Sequence, residues 1–134
     1  KTRIERMYEV QPHEVNAHVK QCKDQLLEYF AGSRTKFELS LDFQGSDFQV
    51  SVWKELLHIP FGQTLSYMAL AKRMGNQQAI RAVAAANGRN TLNIVVPCHR
   101  VIGSNGSLTG YGGELWRKQW LLEFEKADKQ MRLF

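Results

Sequence analysis

Two short segments in the middle of the chain carry the start and stop signals of helices and follow each other directly. Ser66 can cap a helix over residues 67–74, which Gly75 ends. Asn76 can then cap a second helix over residues 77–87. Two helices joined by so tight a turn form a helix-turn-helix pattern. Many all-α hairpins share this pattern, so it constrains the fold without defining a function.

The second of these helices is short of large side chains. Arg81 is its only charged residue, and alanine occupies positions 79, 82, 84, 85 and 86. A helix of this kind can approach another surface closely. The residues leave two interpretations open: close packing inside the protein, or close packing against a DNA groove with Arg81 as a long probe.

The segments that follow predict a strand, a hairpin and a last helix. Residues 92–96 resemble a buried strand. Ser104-Asn105-Gly106, within residues 101–109, favours a hairpin turn, and a hairpin after a helix-turn-helix is the wing of a winged-helix domain. The last helix is predicted over residues 114–129. Its inward-facing candidates are Leu115, Leu121, Leu122 and Phe124.

The amino-terminal third predicts one amphipathic helix and one strand. Apolar residues recur at helical spacing over residues 12–31 and alternate with polar ones over residues 36–43. A lone strand cannot satisfy its own backbone, so residues 36–43 need a partner. A further helix begins at the capping box Ser46-x-x-Gln49 and ends near residue 58. The inward face of the first helix is predicted to comprise Val15, Val19, Cys22, Leu26 and Phe30.

The excess positive charge is confined to one region. The formal net charge is +5, from 18 Lys and Arg against 13 Asp and Glu. No acidic residue occurs between Glu55 and Glu114, where an even spread would place about six. The alternatives are a solvated face that arose by chance and a surface for a polyanionic partner such as nucleic acid. The basic residues of this window are Lys72, Arg73, Arg81, Arg89 and Arg100.

Composition excludes several classes of protein. Apolar residues make up 43% and charged residues 23%, an ordinary globular mixture. The longest apolar runs are far shorter than the roughly 18 residues of a membrane span, and no signal peptide is visible, so we expect no membrane partner. The two cysteines indicate a reducing compartment, and neither they nor the four histidines have metal-ligand spacing. Because the chain begins at Lys1, we expect a fragment, a processed form or a trimmed form.

Cys98 is the strongest candidate for a reactive side chain. A thiolate is the most nucleophilic side chain near neutral pH, and we expect the neighbours His99 and Arg100 to lower the pKa of the Cys98 thiol. Adjacent residues in a straight strand face opposite ways, so His99 can activate Cys98 only if Pro97 bends the chain or a water relays the proton. Glu125 is a candidate to orient the histidine. Cys-His adjacency alone leaves structural and catalytic roles open.

Cys98 lies in the hexapeptide Pro97-Cys98-His99-Arg100-Val101-Ile102, with Asn90 eight residues before it and Gly110-Tyr111-Gly112-Gly113 after it. These motifs resemble the active site of the O6-alkylguanine-DNA alkyltransferases, also called methylated-DNA–protein-cysteine methyltransferases. Gly75-Asn76 and Arg81-Ala82-Val83 resemble the helix-turn-helix of that family, and residues 61–67 resemble the segment that leads into it. The resemblance covers about residues 35–134, and its hexapeptide is highly specific.

The resemblance implies a chemical role for each matching residue. Cys98 would attack the alkyl carbon on guanine O6, with His99 as base through a water and Glu125 orienting the imidazole. Asn90 would brace the turn that bears the cysteine. Tyr67 would donate a proton or a hydrogen bond to the leaving guanine and crowd its phosphate. No cofactor is needed, because the protein is itself the acceptor and each molecule works once.

The resemblance also implies contacts with DNA. A duplex hides O6, so the base must be flipped out of the stack. Arg81, followed by Ala82 on the same helix, would fill the gap left by the flipped nucleotide. Asn76 and Ser104 would help to hold the DNA backbone. The guanine pocket would be lined by Pro97, Val101, Tyr111 and Gly112.

The implied fold is mixed α/β (α+β), with a winged helix-turn-helix-like catalytic domain at residues 46–134. Residues 1–45 would be a truncated remnant of a ribonuclease H-like domain. The implied partner is double-stranded DNA that carries O6-alkylguanine, bound by a protein that is a monomer without DNA. The location would be cytoplasmic, at the nucleoid in a bacterium, or nuclear in a eukaryote. Glu114 departs from the small residue or glycine common at its position, so its charge is a candidate influence on substrate choice or DNA approach.

Two alternative functions fit parts of the sequence. One is a non-enzymatic binder, either an alkyltransferase-like lesion sensor or a winged-helix DNA-binding protein. In the sensor relatives the cysteine is replaced, so Cys98 argues against that class. The other is a cysteine hydrolase that uses Cys98 and His99, which leaves the acid-free helix-turn-helix unexplained.

Overall fold

Helices dominate the computed structural model, which describes residues 12–108 and 114–131, with side chains from residue 17 onward. Within these ranges the fold is mixed α/β, rich in helix, with one small sheet. The chain divides into two compact units, Lys1–Leu41 and Asp42–Phe134. Among the described residues, no helix is long and apolar enough to cross a membrane.

The first unit contains helix α1, Pro12–Phe30, which confirms the predicted helix. Its inward face differs from the predicted one. Gln25 and Tyr29, one helical turn apart, are buried, whereas Val19 and Phe30 are 54% and 43% exposed. The Tyr29 ring meets the ring of Phe37 at a centroid distance of 5.6 Å. The prediction that Val19 and Phe30 face inward is therefore wrong, because the buried side of α1 centres on residues 25 and 29.

Residues 36–43 form no strand, so that prediction is wrong. The predicted alternation is nevertheless present, because residues 37, 39, 41 and 43 are half-buried and the residues between them are exposed. The side-chain amide of Gln25 takes the place of a partner strand at one residue. Gln25 Nε2 donates to the Glu38 carbonyl at 3.0 Å, and the Glu38 amide donates to Gln25 Oε1 at 2.9 Å. A single residue satisfied in this way does not make a ladder.

The second unit begins with helix α2, Asp47–Leu56. The predicted capping box is confirmed: the Gln49 amide donates to Ser46 Oγ at 3.2 Å, and the Ser46 amide donates to Gln49 Oε1 at 3.0 Å. These two bonds satisfy amides that the first turn of a helix leaves unpaired. The residues that α2 buries are Val52, Trp53 and Leu56.

The predicted helix pair is confirmed. Helix α3, Tyr67–Arg73, begins at Ser66, whose Oγ accepts from the Ala69 amide at 3.0 Å. Gly75 turns the chain with φ of +79°, which a residue with a side chain rarely adopts. A 3₁₀ turn, Gln77–Ala79, then leads into helix α4, Ile80–Gly88.

Trp53 joins α2 to α4. Its indole Nε1 donates to the Ala86 carbonyl at 2.8 Å, and both residues are buried. On α4, Val83 and Ala86 face the core, whereas Arg81, Ala82 and Ala85 are exposed. The small residues of this helix therefore serve both internal packing and a surface.

The sheet has two short parallel strands. Strand β1, Leu65–Ser66, pairs with β2, Val101–Ile102, in the register Leu65 to Val101 and Ser66 to Ile102. The predicted hairpin is only partly present. Its turn is closed by a bond from the Gly103 amide to the Ser107 carbonyl at 2.8 Å. Residues 107–108 are not a strand, because β2 pairs with β1 instead, and residue 109 lies outside the described residues.

Residues 92–96 form a loop, so the predicted buried strand is wrong. The Val96 amide donates to the Leu92 carbonyl at 2.9 Å, and Ile94 has φ of +77°. Asn90 satisfies both ends of the loop: its Oδ1 accepts from the Leu92 amide at 3.0 Å, and its Nδ2 donates to the Val96 carbonyl at 2.9 Å. The backbone is thus satisfied by a side chain rather than by a sheet.

Helix α5, Leu115–Met131, closes the unit and confirms the predicted last helix. Its buried residues are Lys118, Leu121 and Glu125. Leu121 was expected to face inward, and Leu122 and Phe124 are half-buried. Leu115 is 53% exposed, so its predicted inward position is wrong. The buried positions follow the spacing i, i+3, i+7, which places them on one face of the helix.

Candidate active site

Cys98 opens a single 3₁₀ turn, Cys98–Arg100, directly after Pro97. The Arg100 amide donates to the Pro97 carbonyl at 3.0 Å, and the Val101 amide donates to the Cys98 carbonyl. The chain therefore bends where Pro97 was expected to bend it. Cys98 and His99 do not lie in a straight strand, and both side chains are fully buried.

Polar side chains surround Cys98. Its Sγ donates to Asn93 Oδ1 at 3.4 Å. Asn87 Nδ2 donates to the Cys98 carbonyl at 3.2 Å and to the Tyr67 hydroxyl at 3.4 Å. Burial raises the pKa of the Cys98 thiol, and this outweighs the hydrogen bond from Asn90 and the charge of Lys118. The expectation of a lowered thiol pKa is therefore wrong, so the resting residue is a thiol that needs a base.

His99 follows Cys98 in the same turn. Its Nε2 lies 2.7 Å from Glu125 Oε2, with both side chains buried. Burial lowers the pKa of His99, and the hydrogen bond to Glu125 offsets this only in part. A neutral imidazole donates from Nε2 to the carboxylate and keeps a lone pair on Nδ1. His99 Nδ1 is buried and, within residues 12–108 and 114–131, has no hydrogen-bond partner.

Glu125 is held by more than His99. Arg100 donates to it twice, from Nε to Oε1 at 2.9 Å and from Nη2 to Oε2 at 3.0 Å. The Gly62 amide donates to Oε1 at 3.2 Å. Burial alone would raise the pKa of Glu125, but the hydrogen bonds from His99 and Arg100 lower it to about 2. Glu125 is therefore an anion at neutral pH.

Lys118 is a buried cation next to the Cys98–Arg100 turn, which we call the active turn. Its Nζ donates to the Val101 carbonyl at 2.6 Å and lies 5.7 Å from the centre of the Tyr67 ring. Burial lowers the pKa of Lys118 to about 8, against the opposing effect of Cys98. Burial also raises the pKa of the Tyr67 hydroxyl, which keeps it protonated. The site thus combines a thiol, a neutral base, an anion, a cation and a hydroxyl donor.

Comparison with known proteins identifies the family. Residues 47–127 match the 6-O-methylguanine DNA methyltransferase DNA-binding domain, and residues 3–43 match the ribonuclease-like domain of the same proteins. The chain belongs to the 6-O-methylguanine DNA methyltransferase family. This confirms the resemblance drawn from the motifs around Cys98.

Curated relatives of this family come from bacteria and archaea. The methylated-DNA–protein-cysteine methyltransferase of Mycobacterium tuberculosis strain H37Rv is 57% identical over 104 residues, 78% of this chain and 63% of that protein. The protein of the same name from Methanosarcina mazei is 50% identical over 109 residues, 81% of this chain and 69% of that protein. The chain thus spans 63% of the length of the mycobacterial relative.

Solved structures of the family share the fold. The Mycobacterium tuberculosis OGT in complex with DNA is 54% identical, with a TM-score of 0.79, and the match covers 81% of this chain and 68% of that one. The O6-methylguanine-DNA methyltransferase of Pyrococcus kodakaraensis is 27% identical, with a TM-score of 0.54 and coverage of 80% and 78%.

The structure brings most of the predicted chemical residues together. Those that are buried around the active turn are Tyr67, Asn90, Pro97, Cys98, His99, Val101 and Glu125. Four of the five predicted DNA contacts, Asn76, Arg81, Ala82 and Ser104, are exposed, whereas the fifth, Tyr67, is buried. Tyr111 and Gly112 lie outside the described residues.

Sequence reasoning missed part of the site. It gave no role to Asn87, Asn93 or Lys118. For Arg100 it offered two roles, as part of the basic window and as a neighbour of the Cys98 thiol. Lys118 could have been found from its spacing, since it lies three residues before Leu121 and seven before Glu125 on the buried face of α5. Within the described residues, no group of three or more His, Cys, Asp and Glu side chains could hold a metal ion.

Proposed function

We propose that the protein repairs DNA by transferring an alkyl group, such as methyl, irreversibly from guanine O6 to the Sγ of Cys98. The observation that carries this proposal is the buried Cys98 thiol in one turn with His99, whose Nε2 is engaged by Glu125 and whose Nδ1 remains available. The name of the curated relatives, methylated-DNA–protein-cysteine methyltransferase, supports the same chemistry.

The proposed reaction begins with loss of the thiol proton. This proton passes through a water to His99 Nδ1, while Glu125 stabilises the imidazolium. Sγ of Cys98 then forms a bond to the alkyl carbon, and the bond from that carbon to O6 breaks. The electron pair remains on the guanine, which takes a proton from the Tyr67 hydroxyl. His99 returns its proton to Tyr67 through solvent. The net change therefore moves the alkyl group from guanine O6 to Cys98 Sγ and one proton from Cys98 to the guanine.

The thioether product explains why the protein would act once. A thioether has no proton to lose and is a poor leaving group, so neither His99 nor water regenerates the thiol. Asn90 supports the reaction by tying both ends of the loop before Cys98.

The exposed residues of the helix pair are proposed to contact double-stranded DNA. Arg81 and Ala82 lie on the exposed face of α4, and a small-faced helix with one long cation suits entry into a groove and replacement of a flipped base. Asn76 and Ser104 would hold the backbone. The crystal structure of the mycobacterial relative with DNA supports this partner. We expect a monomer without DNA, acting in the cytoplasm, at the nucleoid if the source is a bacterium, or in the nucleus if it is a eukaryote.

The guanine pocket is proposed to use Pro97 and Val101, which are buried beside Cys98. Tyr111 and Gly112 remain predicted members of this pocket. No cofactor is required, because Cys98 is itself the acceptor.

Mass spectrometry tests the proposal. Incubation with duplex DNA that carries O6-methylguanine should add one methyl mass to the peptide that contains Cys98, and the DNA should regain guanine. C98S should bind this DNA but gain no methyl, whereas C22S should react normally. An unmodified Cys98 peptide with intact DNA binding would identify a lesion binder instead. Repeated turnover with a peptide or ester substrate would identify a hydrolase.

A further inference from the structure

Arg100 makes three hydrogen bonds inside the site, yet the proposed reaction gives it no step. Two of these bonds go to Glu125, as described above, and Nη1 donates to the Ile59 carbonyl at 2.7 Å. The guanidinium also lies 5.8 Å from the centre of the Phe61 ring. Its plane and position are therefore fixed by neighbours on several sides, and a fork of two parallel donors is the arrangement that best matches a carboxylate.

Arg100 and His99 share one carboxylate. Glu125 Oε2 accepts from both, at 3.0 Å from Arg100 Nη2 and 2.7 Å from His99 Nε2. An anion beside a buried histidine favours the protonated imidazole, which cannot accept a proton. A permanent cation on the same carboxylate cancels much of that effect while the hydrogen bond to Nε2 still fixes the ring. The arrangement thus separates orientation of the base from its protonation.

The other ionisable groups near His99 either disfavour its protonation, as Arg100 does, or carry no charge. Lys118 on α5 is a cation and disfavours a second positive charge on the imidazole. Cys98, on the same turn as His99, is a thiol at rest, and Tyr67 on α3 is a phenol. Among these groups, Glu125 is the anion, so the balance at His99 depends on what neutralises that carboxylate.

We propose that Arg100 is a positioning residue for alkyl transfer, which acts through Glu125 to keep His99 an oriented and neutral base. This proposal rests on the proposed function for its kinetic consequence. Its effect on the protonation of His99 does not depend on any activity, so the two can be tested separately.

The first test is an NMR titration of the His99 imidazole in the whole chain. In R100M, the uncompensated carboxylate should make His99 take up a proton at a higher pH than in the wild type. E125Q should move the titration the opposite way. R100K, which retains the cation, should stay near the wild type, and R89M, which removes an exposed arginine, is the matched control and should not move it.

The second test is the pH dependence of methyl transfer to Cys98. R100M should lose about tenfold in rate on the acidic limb for each pH unit by which the titration of His99 moves upward, and less at pH 9, where the imidazole is neutral in both proteins. The double variant R100M/E125Q restores charge balance and should return the acidic limb toward its original position. It also decides the question if R100M alone fails to fold.

These experiments distinguish a specific role from a structural one. A merely structural Arg100 predicts equal losses at all pH values and an unmoved His99 titration in folded R100M, and that result overturns the proposal. A double variant whose His99 titrates as in R100M also overturns it. If no form of the protein transfers methyl, the NMR titration still decides the role of Arg100, while the proposed function fails.

Discussion

Lys118 donates a 2.6 Å hydrogen bond from its buried ammonium group to the carbonyl oxygen of Val101. The Val101 amide bonds in turn to the Cys98 carbonyl, so this lysine fixes the strand that leaves the active turn. Its Nζ also lies 5.7 Å from the centre of the Tyr67 ring. One side chain of α5 therefore supports both the position of Cys98 and the electrostatic environment of the hydroxyl donor.

Replacement of Lys118 by methionine should affect stability and thiol chemistry together. The Val101 carbonyl loses its donor, which should lower the free energy of unfolding by about 1–3 kcal/mol, measured by urea denaturation. Loss of the cation should also raise the pKa of the Cys98 thiol further, because the charge of Lys118 lowers it. The pH dependence of Cys98 alkylation by iodoacetamide reports this. K126M removes an exposed lysine of the same helix and should change neither quantity; an unmoved thiol titration in K118M would contradict the electrostatic role.

Arg81 should matter only when the base has to leave a duplex. It is exposed on α4, away from the buried chemical residues, so R81A should fold normally. We expect a large loss of methyl transfer from duplex DNA and little loss of reaction with free O6-benzylguanine. R89A, another exposed arginine of the acid-free window, controls for loss of charge alone. Equal losses on the two substrates would refute a role in base flipping.

Loss of the Asn90 side chain should destabilise the loop that precedes Cys98. Replacement by alanine removes both of its bonds and leaves the Leu92 amide without that partner, whereas the Val96 carbonyl keeps the bond from the Cys98 amide at 2.8 Å. The free energy of unfolding should fall by about 1–3 kcal/mol, since one unsatisfied group costs about that much. Chemical denaturation measures this. T91A, which removes an exposed side chain next to the same loop, should cost less; an equal cost would show that the bracing bonds are not the cause.

The helices could be predicted from sequence because their signals are local. Ser46 and Ser66 cap their helices where the pattern placed them. The strands could not, because a strand depends on a partner that no local pattern specifies. Residues 36–43 alternate correctly, but in place of a partner strand the side chain of Gln25 pairs with one residue, Glu38. Residues 92–96 are mostly apolar but are held by Asn90.

The chemistry at Cys98 shows a second limit of sequence reasoning. The burial of Cys98 beside His99 and Glu125 agrees with the motif, whereas the predicted direction of the shift in the pKa of the thiol was wrong. Neighbours in sequence supply charge, but burial supplies desolvation, and only the fold determines which is larger. The same holds for Arg100, whose partner Glu125 lies 25 residues away in sequence.

Glu125 should make stability fall in strong acid. Its pKa is lowered from 4.5 to about 2 in the folded protein, so the folded state favours the ionised carboxylate. The resulting stabilisation is fully present above pH 4.5 and is lost as the pH falls toward 2. It should amount to about 3 kcal/mol. Denaturant unfolding of the wild type and E125Q between pH 6 and pH 2 measures it, and the difference between them should shrink over that window. E123Q changes an exposed glutamate of the same helix and should keep a constant difference from the wild type. A constant difference for E125Q as well would mean that Glu125 is not held as an anion by His99 and Arg100.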